Sequence, residues 1–345
     1  MTPLRINLAL QGGGAHGAFT WGVLDRLLDE PEIEIAAISG TSAGALNGAA
    51  FKAGLLDGGR EGARDNLDWL WEQVAAQGDL RLTTWMSALS PGPAMISQAL
   101  ENSLPFSMID TASRLTSPYA LGLFYRNPLA RIVERFRFDR VCAHQGPALF
   151  VCATNVRTGK VRVFEYEEIS TDAILASACL PTMFQAIEMD DPKTGRREAF
   201  WDGGYTGNPA LFPLFDPALP DDIVVVNINP LERDEVPKTP QDILNRINEV
   251  SFNSSLLREL RAIGFVRDLI TEGRIPDGAM KNVLIHMIAD DDLMRDLSVA
   301  TKMLPTAPIL GALKTAGRAA AGAFLDAHRG DIGVRPSVDL EALFS

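Results

Sequence analysis

The pentapeptide Gly-Thr-Ser-Ala-Gly at residues 40–44 constrains this chain more than any other stretch of its sequence. It follows an apolar run that favours a strand, 33–38, and precedes an Ala-rich segment typical of a helix, 43–53. A sharp strand-to-helix turn built from small residues lifts a serine hydroxyl off the sheet edge, which is the setting in which serine acts as a nucleophile. The sequence therefore predicts Ser42 as a nucleophile, with a glycine-rich turn without chemistry as the alternative.

Strand and helix patterns alternate over the first part of the chain. A strand at 6–10 leads into a glycine loop at 12–17 and a helix at 18–29, and a strand at 33–39 leads into the helix that begins at 43. Alternation of this kind implies an α/β fold with a parallel sheet and helices on its faces. The remaining predicted elements are strands at 149–153, 223–228 and 283–288, turns at 57–62 and 157–160, and helices at 64–77, 128–136, 172–179, 240–272 and 312–326.

Composition excludes several classes of function. The net charge of -12 argues against a nucleic-acid partner, because phosphate binding requires an excess of clustered Lys and Arg. The same charge argues against adhesion to an anionic membrane by net charge alone, although a local patch still allows peripheral contact. The three cysteines form no Cys-x-x-Cys pair, so reduced thiols are expected. The first ten residues resemble a strand and not a secretion signal, which predicts a cytoplasmic location, with the inner membrane surface as a peripheral site.

The glycine loop Gln-Gly-Gly-Gly-Ala-His-Gly at 11–17 lies between the first strand and the first helix. Its backbone N–H groups and the helix dipole favour an anion at that position. The loop also matches the dinucleotide pattern Gly-x-Gly-x-x-Gly, but that interpretation requires an acidic residue at the end of the second strand, where this chain has Ser39 and Gly40. The sequence therefore favours an oxyanion hole over a nucleotide site.

The general base has two candidate solutions. The histidines are at positions 16, 144, 286 and 328, and a Ser-His-Asp triad of the α/β-hydrolase type would require His286 or His328 to reach Ser42. Asp202, in the sequence Trp-Asp-Gly-Gly, is the other candidate, because a partly desolvated carboxylate could accept the serine proton directly. An ordinary Asp-Gly turn is the interpretation without chemistry.

Four ordered blocks together resemble the patatin-like phospholipase family over about residues 4–213. The blocks are Gly-Gly-Gly-Ala-His-Gly at 12–17, Gly-Thr-Ser-Ala-Gly at 40–44, Ala-Ser at 176–177 with Pro181, and Asp-Gly-Gly at 202–204. The resemblance implies a three-layer α/β/α fold with a mostly parallel central sheet, and a dyad of Ser42 as nucleophile with Asp202 as base. It also implies an oxyanion hole from the glycine loop, at Gly12, Gly13 and Gly14, with Gly13 and Gly14 as the favoured donors. Supporting roles at the site are expected for His16, Gly17, Gly40, Gly44, Gly203 and Gly204.

One residue departs from the family pattern. His16 stands where members usually carry Arg or Lys, so a fixed positive charge is replaced by a group whose ordinary pKa is about 6.5. Ser177 is interpreted as a packing or capping residue, and Asn208-Pro209 as a structural element.

The resemblance also divides the chain. Residues 4–230 are predicted to form the catalytic domain, and 231–345 an extension of helices and one strand that packs on the same domain. The apolar, Ser-, Pro- and Met-rich stretch 80–125 is interpreted either as a cap inserted over an apolar site or as irregular core.

The expected function is hydrolysis of fatty-acyl esters, by a phospholipase, lysophospholipase or esterase, without a metal or organic cofactor. The alternatives are an esterase with a Ser-His-Asp triad and a weakly active lipid-binding regulator with the same fold.

Overall fold

One mixed sheet organises the described part of this chain, whose structure is a computed structural model covering residues 3–77, 97, 117–276 and 278–344. The strands of these ranges are β1 (Leu4–Leu10), β2 (Ile33–Thr41), β3 (Ala148–Asn155), β4 (Val161–Glu165), β5 (Ile187–Asp191), β6 (Arg196–Asp202), β7 (Asp222–Val226) and β8 (Leu284–Ile288). Their order across the sheet is β5-β6-β3-β2-β1-β7-β8, and β4 pairs with β3. Strands β3, β2, β1, β7 and β8 run parallel, whereas β4, β5 and β6 enter through antiparallel pairs. The prediction of an α/β fold with a mostly parallel sheet is confirmed.

Helices cover both faces of the sheet. The long ones are α1 (Gly17–Leu27), α2 (Ala43–Gln77), α6 (Pro240–Thr271) and α9 (Ala307–His328). The short ones are α3 (Ala130–Val133), α4 (Phe138–Val141), α5 (Thr171–Ser177), α7 (Asp291–Asp296), α8 (Val299–Met303) and α10 (Leu340–Leu343). Helices α1, α2 and α9 share one apolar core with the sheet, and α6 shares a second core on the opposite face. This arrangement gives the predicted three layers.

The central strands are apolar on both sides because both of their faces are covered. In β1, Leu8 and Leu10 belong to the core with α1, whereas Ala9 between them belongs to the core with α6. All three are fully buried. This explains why the sequence of β1 is a continuous apolar run and does not alternate with polar residues.

Helices α1 and α9 cross at two glycines. A Cβ atom on Gly22 of α1 would overlap the Lys314 carbonyl oxygen, and one on Gly317 of α9 would overlap the Phe19 carbonyl oxygen. The buried Asp25 of α1 also binds Arg318 of α9 at 2.5 Å. The crossing joins the C-terminal third of the chain to the first helix.

The structure departs from the sequence prediction at several elements. The turn expected at 57–62 is a break inside α2, where Gly59 has a φ of 63°. The helix expected at 128–136 is the shorter α3, and the β5–β6 hairpin was not predicted. Most of the expected cap, 80–116 apart from residue 97, lies outside the described residues.

Candidate active site

Ser42 occupies the turn between β2 and α2, as the pentapeptide predicted. Its φ of 52° lies in the left-handed region, which is unfavourable for a residue other than glycine and costs on the order of 1–3 kcal/mol. The residue is 7 % exposed. The Ser42 side chain therefore lies at the end of β2, in neither the strand nor the helix.

Ser177 holds the backbone of this turn. The Ser42 N–H donates to the Ser177 Oγ at 2.9 Å, and the Ser177 hydroxyl donates to the Cys152 carbonyl at 2.6 Å. The side chain of Ser177 is thus fully engaged and buried. It positions Ser42, a role more specific than the packing or capping that the sequence indicated.

Two glycines of the pentapeptide make the turn tight. A Cβ atom on Gly40 would lie 2.7 Å from the carbonyl carbon of Gly44, and a Cβ atom on Gly44 would overlap the Leu10 carbonyl oxygen. Both positions therefore require glycine, because backbone approaches within the space of a methyl group. Their expected supporting role takes the form of packing between β1, β2 and α2.

The strand register brings Asp202 to Ser42. Thr41, the last residue of β2, pairs with Cys152 of β3, and the next residue of β3, Ala153, pairs with Asp202 at the end of β6. The Asp202 N–H donates to the Cys179 carbonyl at 2.8 Å. In this register the Ser42 hydroxyl lies near the Asp202 carboxyl, close enough to lower its pKa. The structure thus brings together two residues 160 positions apart in the sequence.

Burial brings the pKa of Asp202 close to neutral pH. The residue is 1 % exposed, and this burial raises its pKa from 3.8 to about 7. The Gly204 N–H, which donates to Oδ1 at 2.7 Å, and the Ser42 hydroxyl lower the pKa, but burial dominates. Burial and the nearby Asp202 charge also raise the pKa of Cys179 and of Tyr205, each to about 12. Asp202 is therefore the group in this cluster that can exchange a proton near pH 7.

Gly203 and Gly204 let the loop after β6 approach its neighbours. A Cβ atom on Gly203 would overlap the Cys152 carbonyl oxygen, and one on Gly204 would lie 3.0 Å from the ring of Phe252. Phe252 lies on α6, so this helix covers the Asp202 loop. The expected supporting role of both glycines is again one of close packing.

The glycine loop lies directly against the serine. A Cβ atom on Gly12 would lie 2.7 Å from the Ser42 Cβ. The Gly12 N–H donates to the Asn208 Oδ1 at 2.7 Å, so it is already engaged. Within the described residues, no acceptor takes the N–H of Gly13 or Gly14. The structure therefore distinguishes Gly12, which is held in place, from Gly13 and Gly14, whose N–H groups are open.

Polar side chains that the sequence analysis missed support the loop from beneath. Gln11 Oε1 accepts the backbone N–H of Ile228 at 2.9 Å and of Asn229 at 3.1 Å. The Asn229 Nδ2 donates to the Gly12 carbonyl at 2.8 Å. Asn229 follows the carboxyl end of β7, the parallel neighbour of β1, and that position at a sheet edge was the signal available in the sequence.

His16 is buried and neutral. It is 1 % exposed, and its Nε2 lies 2.8 Å from the Thr301 Oγ1, whose hydroxyl donates to the Ser298 carbonyl. Thr301 must therefore accept from His16, which places the ring proton on Nε2. Burial lowers the pKa of His16 well below 6.5, and the charges of Lys302 and Arg233 lower it further. The neighbouring Gly17 packs against Ala43. Because His16 is neutral, it provides no positive charge to the loop.

The Ser-His-Asp alternative with Ser42 is wrong. His286 Nε2 lies 2.9 Å from Asp222 Oδ1, and its Nδ1 lies 3.1 Å from the Ser337 Oγ, so both ring nitrogens are engaged elsewhere. His328 pairs with Asp331 at 2.8 Å. Sequence order alone allowed these histidines to reach Ser42, but the parallel pairing of β7 with β8 sets His286 opposite Val224 in the middle of the strands, from where its ring reaches Asp222 at the start of β7.

Two further observations apply to the described ranges. No group of three or more His, Cys, Asp or Glu residues there could hold a metal ion. No helix there is long and apolar enough to cross a membrane.

The sequence profile of the family described as Patatin-like phospholipase matches residues 8–215, more than half of the chain. The chain belongs to the patatin-like phospholipase family. This confirms the resemblance of the four blocks and assigns the chain to a family of lipid hydrolases. Every block that carried the resemblance, from the glycine loop to the Asp-Gly-Gly segment, lies inside the matched range.

Two solved structures share distant similarity with this patatin-like chain. VipD from Legionella pneumophila is 14 % identical, with 94 % of this chain and 67 % of that chain covered and a TM-score of 0.44. The heterodimeric ExoU–SpcU complex from the type III secretion system of Pseudomonas aeruginosa contains a chain 17 % identical, with 99 % and 74 % covered and a TM-score of 0.31. At these TM-scores neither similarity assigns a role to a residue. No curated protein matches the sequence.

Proposed function

We propose that this protein is a serine lipid acyl hydrolase that uses a dyad of Ser42 and Asp202. The observation that carries the proposal is the buried Asp202 carboxyl, which lies near Ser42 and has a pKa of about 7. A base with a pKa near the working pH combines the correct protonation state with a sufficient driving force for proton transfer. Membership of the patatin-like phospholipase family supports a lipid ester as the substrate.

The reaction has two halves. Ser42 Oγ attacks the ester carbonyl while Asp202 takes its proton, and Asp202 returns that proton to the leaving alcohol as the tetrahedral intermediate collapses. Water then attacks the acyl-enzyme, Asp202 accepts a proton from that water, and Ser42 recovers it when the fatty acid leaves. Asp202 is ionised at the start and at the end of each half, and the serine proton that leaves with the alcohol in the first half is replaced from water in the second.

The negative oxygen of each tetrahedral intermediate is assigned to the N–H groups of Gly13 and Gly14. These two groups are open within the described residues, whereas the Gly12 N–H is held by Asn208. Gly12 instead sets the distance between the loop and Ser42. Backbone donors fixed in this way stabilise the transition state because they require no reorganisation during the reaction.

Family membership supports the substrate class. A phospholipid, a lysophospholipid or a simple fatty-acyl ester fits the proposal, and neither a metal nor an organic cofactor is required for the two steps. We place the activity in the cytoplasm, with peripheral contact to the inner membrane surface where the lipid resides.

Reaction with a fluorophosphonate probe tests the nucleophile. We expect the wild-type protein and Ser337→Ala to be labelled and Ser42→Ala to remain unlabelled. Ser337 is a stringent control because it contacts His286, which in turn binds Asp222. Labelling of Ser42→Ala, or its loss in Ser337→Ala alone, would overturn the assignment.

Hydrolysis of a lysophospholipid and of a soluble acyl ester tests the base. Asp202→Asn should remove turnover of both substrates, whereas Asp222→Asn, which alters another buried carboxylate, should retain it. A folded wild-type protein that binds lipid but neither reacts with the probe nor turns over either ester would favour the lipid-binding regulator instead.

A further inference from the structure

Helix α8 contacts the back of the glycine loop, although it lies outside the range matched by the family. A Cβ atom on Gly14 would lie 2.6 Å from the carbonyl oxygen of Lys302. The preceding residue, Thr301, accepts the hydrogen bond from His16. Two consecutive residues of α8 therefore fix the loop from a part of the chain almost 300 positions downstream.

The side chain of Lys302 connects to the loop through an amide. Its Nζ donates to the Asn229 Oδ1 at 3.1 Å, and the Asn229 Nδ2 donates to the Gly12 carbonyl at 2.8 Å. Gly12 in turn lies against Ser42. An ammonium group that holds the amide oxygen polarises the amide, which strengthens the hydrogen bond that its N–H group donates.

The charges around Lys302 are mostly positive. Arg233 donates two hydrogen bonds to Glu249 at 2.7 and 2.8 Å, and Arg246 donates to the same carboxylate at 3.3 Å. Glu249 is 5 % exposed. Burial lowers the pKa of Lys302, and the negative charge of Glu249 opposes this effect because it favours the ammonium form. This cluster of Arg233, Arg246, Glu249 and Lys302 thus carries three cations and one carboxylate.

The field of the cluster reaches the glycine loop. The charges of Lys302 and Arg233 both act on His16, where they disfavour the protonated imidazole. A positive electrostatic potential that disfavours a proton on His16 also stabilises a negative charge nearby, because it acts with opposite sign on an anion. His16 itself is neutral, so the positive potential at the loop originates in the C-terminal third of the chain.

We propose that Lys302 is a positioning residue of the hydrolase site, which fixes the glycine loop through Asn229 and provides the positive potential in which the oxyanion forms. The inference rests on the proposed function, since it assigns Lys302 a part in the same reaction. Negative charge on the substrate oxygen is larger in the transition state than in the bound ester, so Lys302 is expected to affect kcat more than KM.

Three variants separate the charge from the hydrogen bond. Lys302→Arg retains a cation and a donor, Lys302→Gln retains a neutral donor, and Lys302→Met retains neither. Lys281→Met is the matched control, because Lys281 is a partly buried lysine that donates to the carbonyls of Leu214, Asp216 and Leu219 near the start of β8. Hydrolysis of a soluble p-nitrophenyl ester is measured for each variant, with active sites counted by the fluorophosphonate probe and folding monitored by thermal unfolding.

We expect Lys302→Met and Lys302→Gln to lower kcat by about tenfold or more with KM changed less than about threefold, and Lys302→Arg to recover most of the loss. Lys281→Met should lower the unfolding temperature and leave kcat unchanged. If Lys302→Met fails to fold, the comparison of Lys302→Gln with Lys302→Arg decides.

A kcat for Lys302→Gln equal to that of the wild type would overturn the role of the charge, and a loss confined to the unfolding temperature would overturn the role in positioning. Failure of the proposed function gives a different result, in which the wild-type protein itself shows no turnover that depends on Ser42.

Discussion

At the scale of single residues, the burial of Asp202 couples the proposed chemistry to stability. In the folded chain its pKa is raised from 3.8 to about 7, so the folded state binds this proton more tightly than the unfolded chain does. The stabilisation from the protonated carboxyl is complete below about pH 4 and is lost as the pH rises through 7. A shift of about three units corresponds to about 4 kcal/mol.

Asp202→Asn should therefore stabilise the protein at alkaline pH. Asn keeps an acceptor for the Gly204 N–H but has no charge to desolvate. We expect the free energy of unfolding of the variant, relative to wild type, to increase by about 4 kcal/mol between pH 4 and pH 8. Urea denaturation across this range measures it. Parallel pH profiles of variant and wild type would show that the Asp202 pKa is not raised.

The same pKa predicts the pH dependence of hydrolysis. If the ionised Asp202 is the base, kcat/KM should increase about tenfold for each pH unit below 7 and become constant above it. A pH profile with a soluble ester measures this limb. A constant kcat/KM between pH 5.5 and 8.5 would contradict Asp202 as the base.

Ser177 carries a further prediction at this scale. Ser177→Ala leaves the N–H of Ser42 and the carbonyl of Cys152 without their present partner, which should cost about 1–3 kcal/mol of stability. Because Ser42 also loses the group that holds its left-handed backbone, the second-order rate of fluorophosphonate labelling should decrease by about tenfold.

Ser39→Ala is the matched control for this change. Ser39 is buried on β2 and donates to the Ala210 carbonyl at 2.6 Å, so its loss should reduce stability by a similar amount without slowing the labelling. Equal labelling rates for the Ser177 and Ser39 variants would restrict Ser177 to the structural role that its sequence context indicated.

At the scale of secondary-structure elements, the crossing of α1 and α9 depends on the absence of a side chain. Gly317→Ala would overlap the Phe19 carbonyl oxygen and force the helices apart, which should lower the free energy of unfolding by about 1–3 kcal/mol. Gly311→Ala, on the same helix with no atom within 4 Å of the new Cβ, should raise it by up to about 1 kcal/mol. Chemical denaturation of both variants measures the difference, and a destabilised Gly311→Ala with an unaffected Gly317→Ala would contradict the crossing.

Elements differ in how well their sequences predict them. Local patterns predict the first strands, because buried parallel strands are apolar throughout. Local patterns also predict the turn at Ser42 and the turn at 157–160, where small and turn-forming residues cluster. The β5–β6 hairpin was missed because its charged residues, such as Glu188 and Arg197, pair with each other across an exposed edge. The contact between Asp202 and Ser42 depends on the antiparallel entry of β6 beside β3, which no local pattern specifies.

At the scale of the whole molecule, the site is assembled from distant parts of the chain. The sequence and the family resemblance selected Ser42, Asp202 and the glycine loop as candidate site residues, all within 8–215. They did not identify Asn229, Thr301 or Lys302, whose contacts with the loop join residues more than 200 positions apart. Their sequence context is that of ordinary polar residues near helix and strand ends.

A shortened chain tests how far the C-terminal third is needed. Ending the chain at residue 239 removes α6, β8 and α9 and exposes the core residues that pack on them, including Phe19 and Val225. We expect no cooperative unfolding transition in urea and no fluorophosphonate labelling. A sharp transition with labelling of Ser42 would show that residues 1–239 fold without the C-terminal third.

The attachment of α8 to the glycine loop also limits how this protein can be recombined with its relatives. An exchange of residues 8–215 for those of another family member would place a foreign loop on Asn229, Thr301 and Lys302, which in this chain support a loop with a histidine at position 16. An incoming arginine or lysine there would face the resident ammonium group, and like charges at such short range repel. Working hybrids should therefore require that position 16 and position 302 be inherited together from one parent.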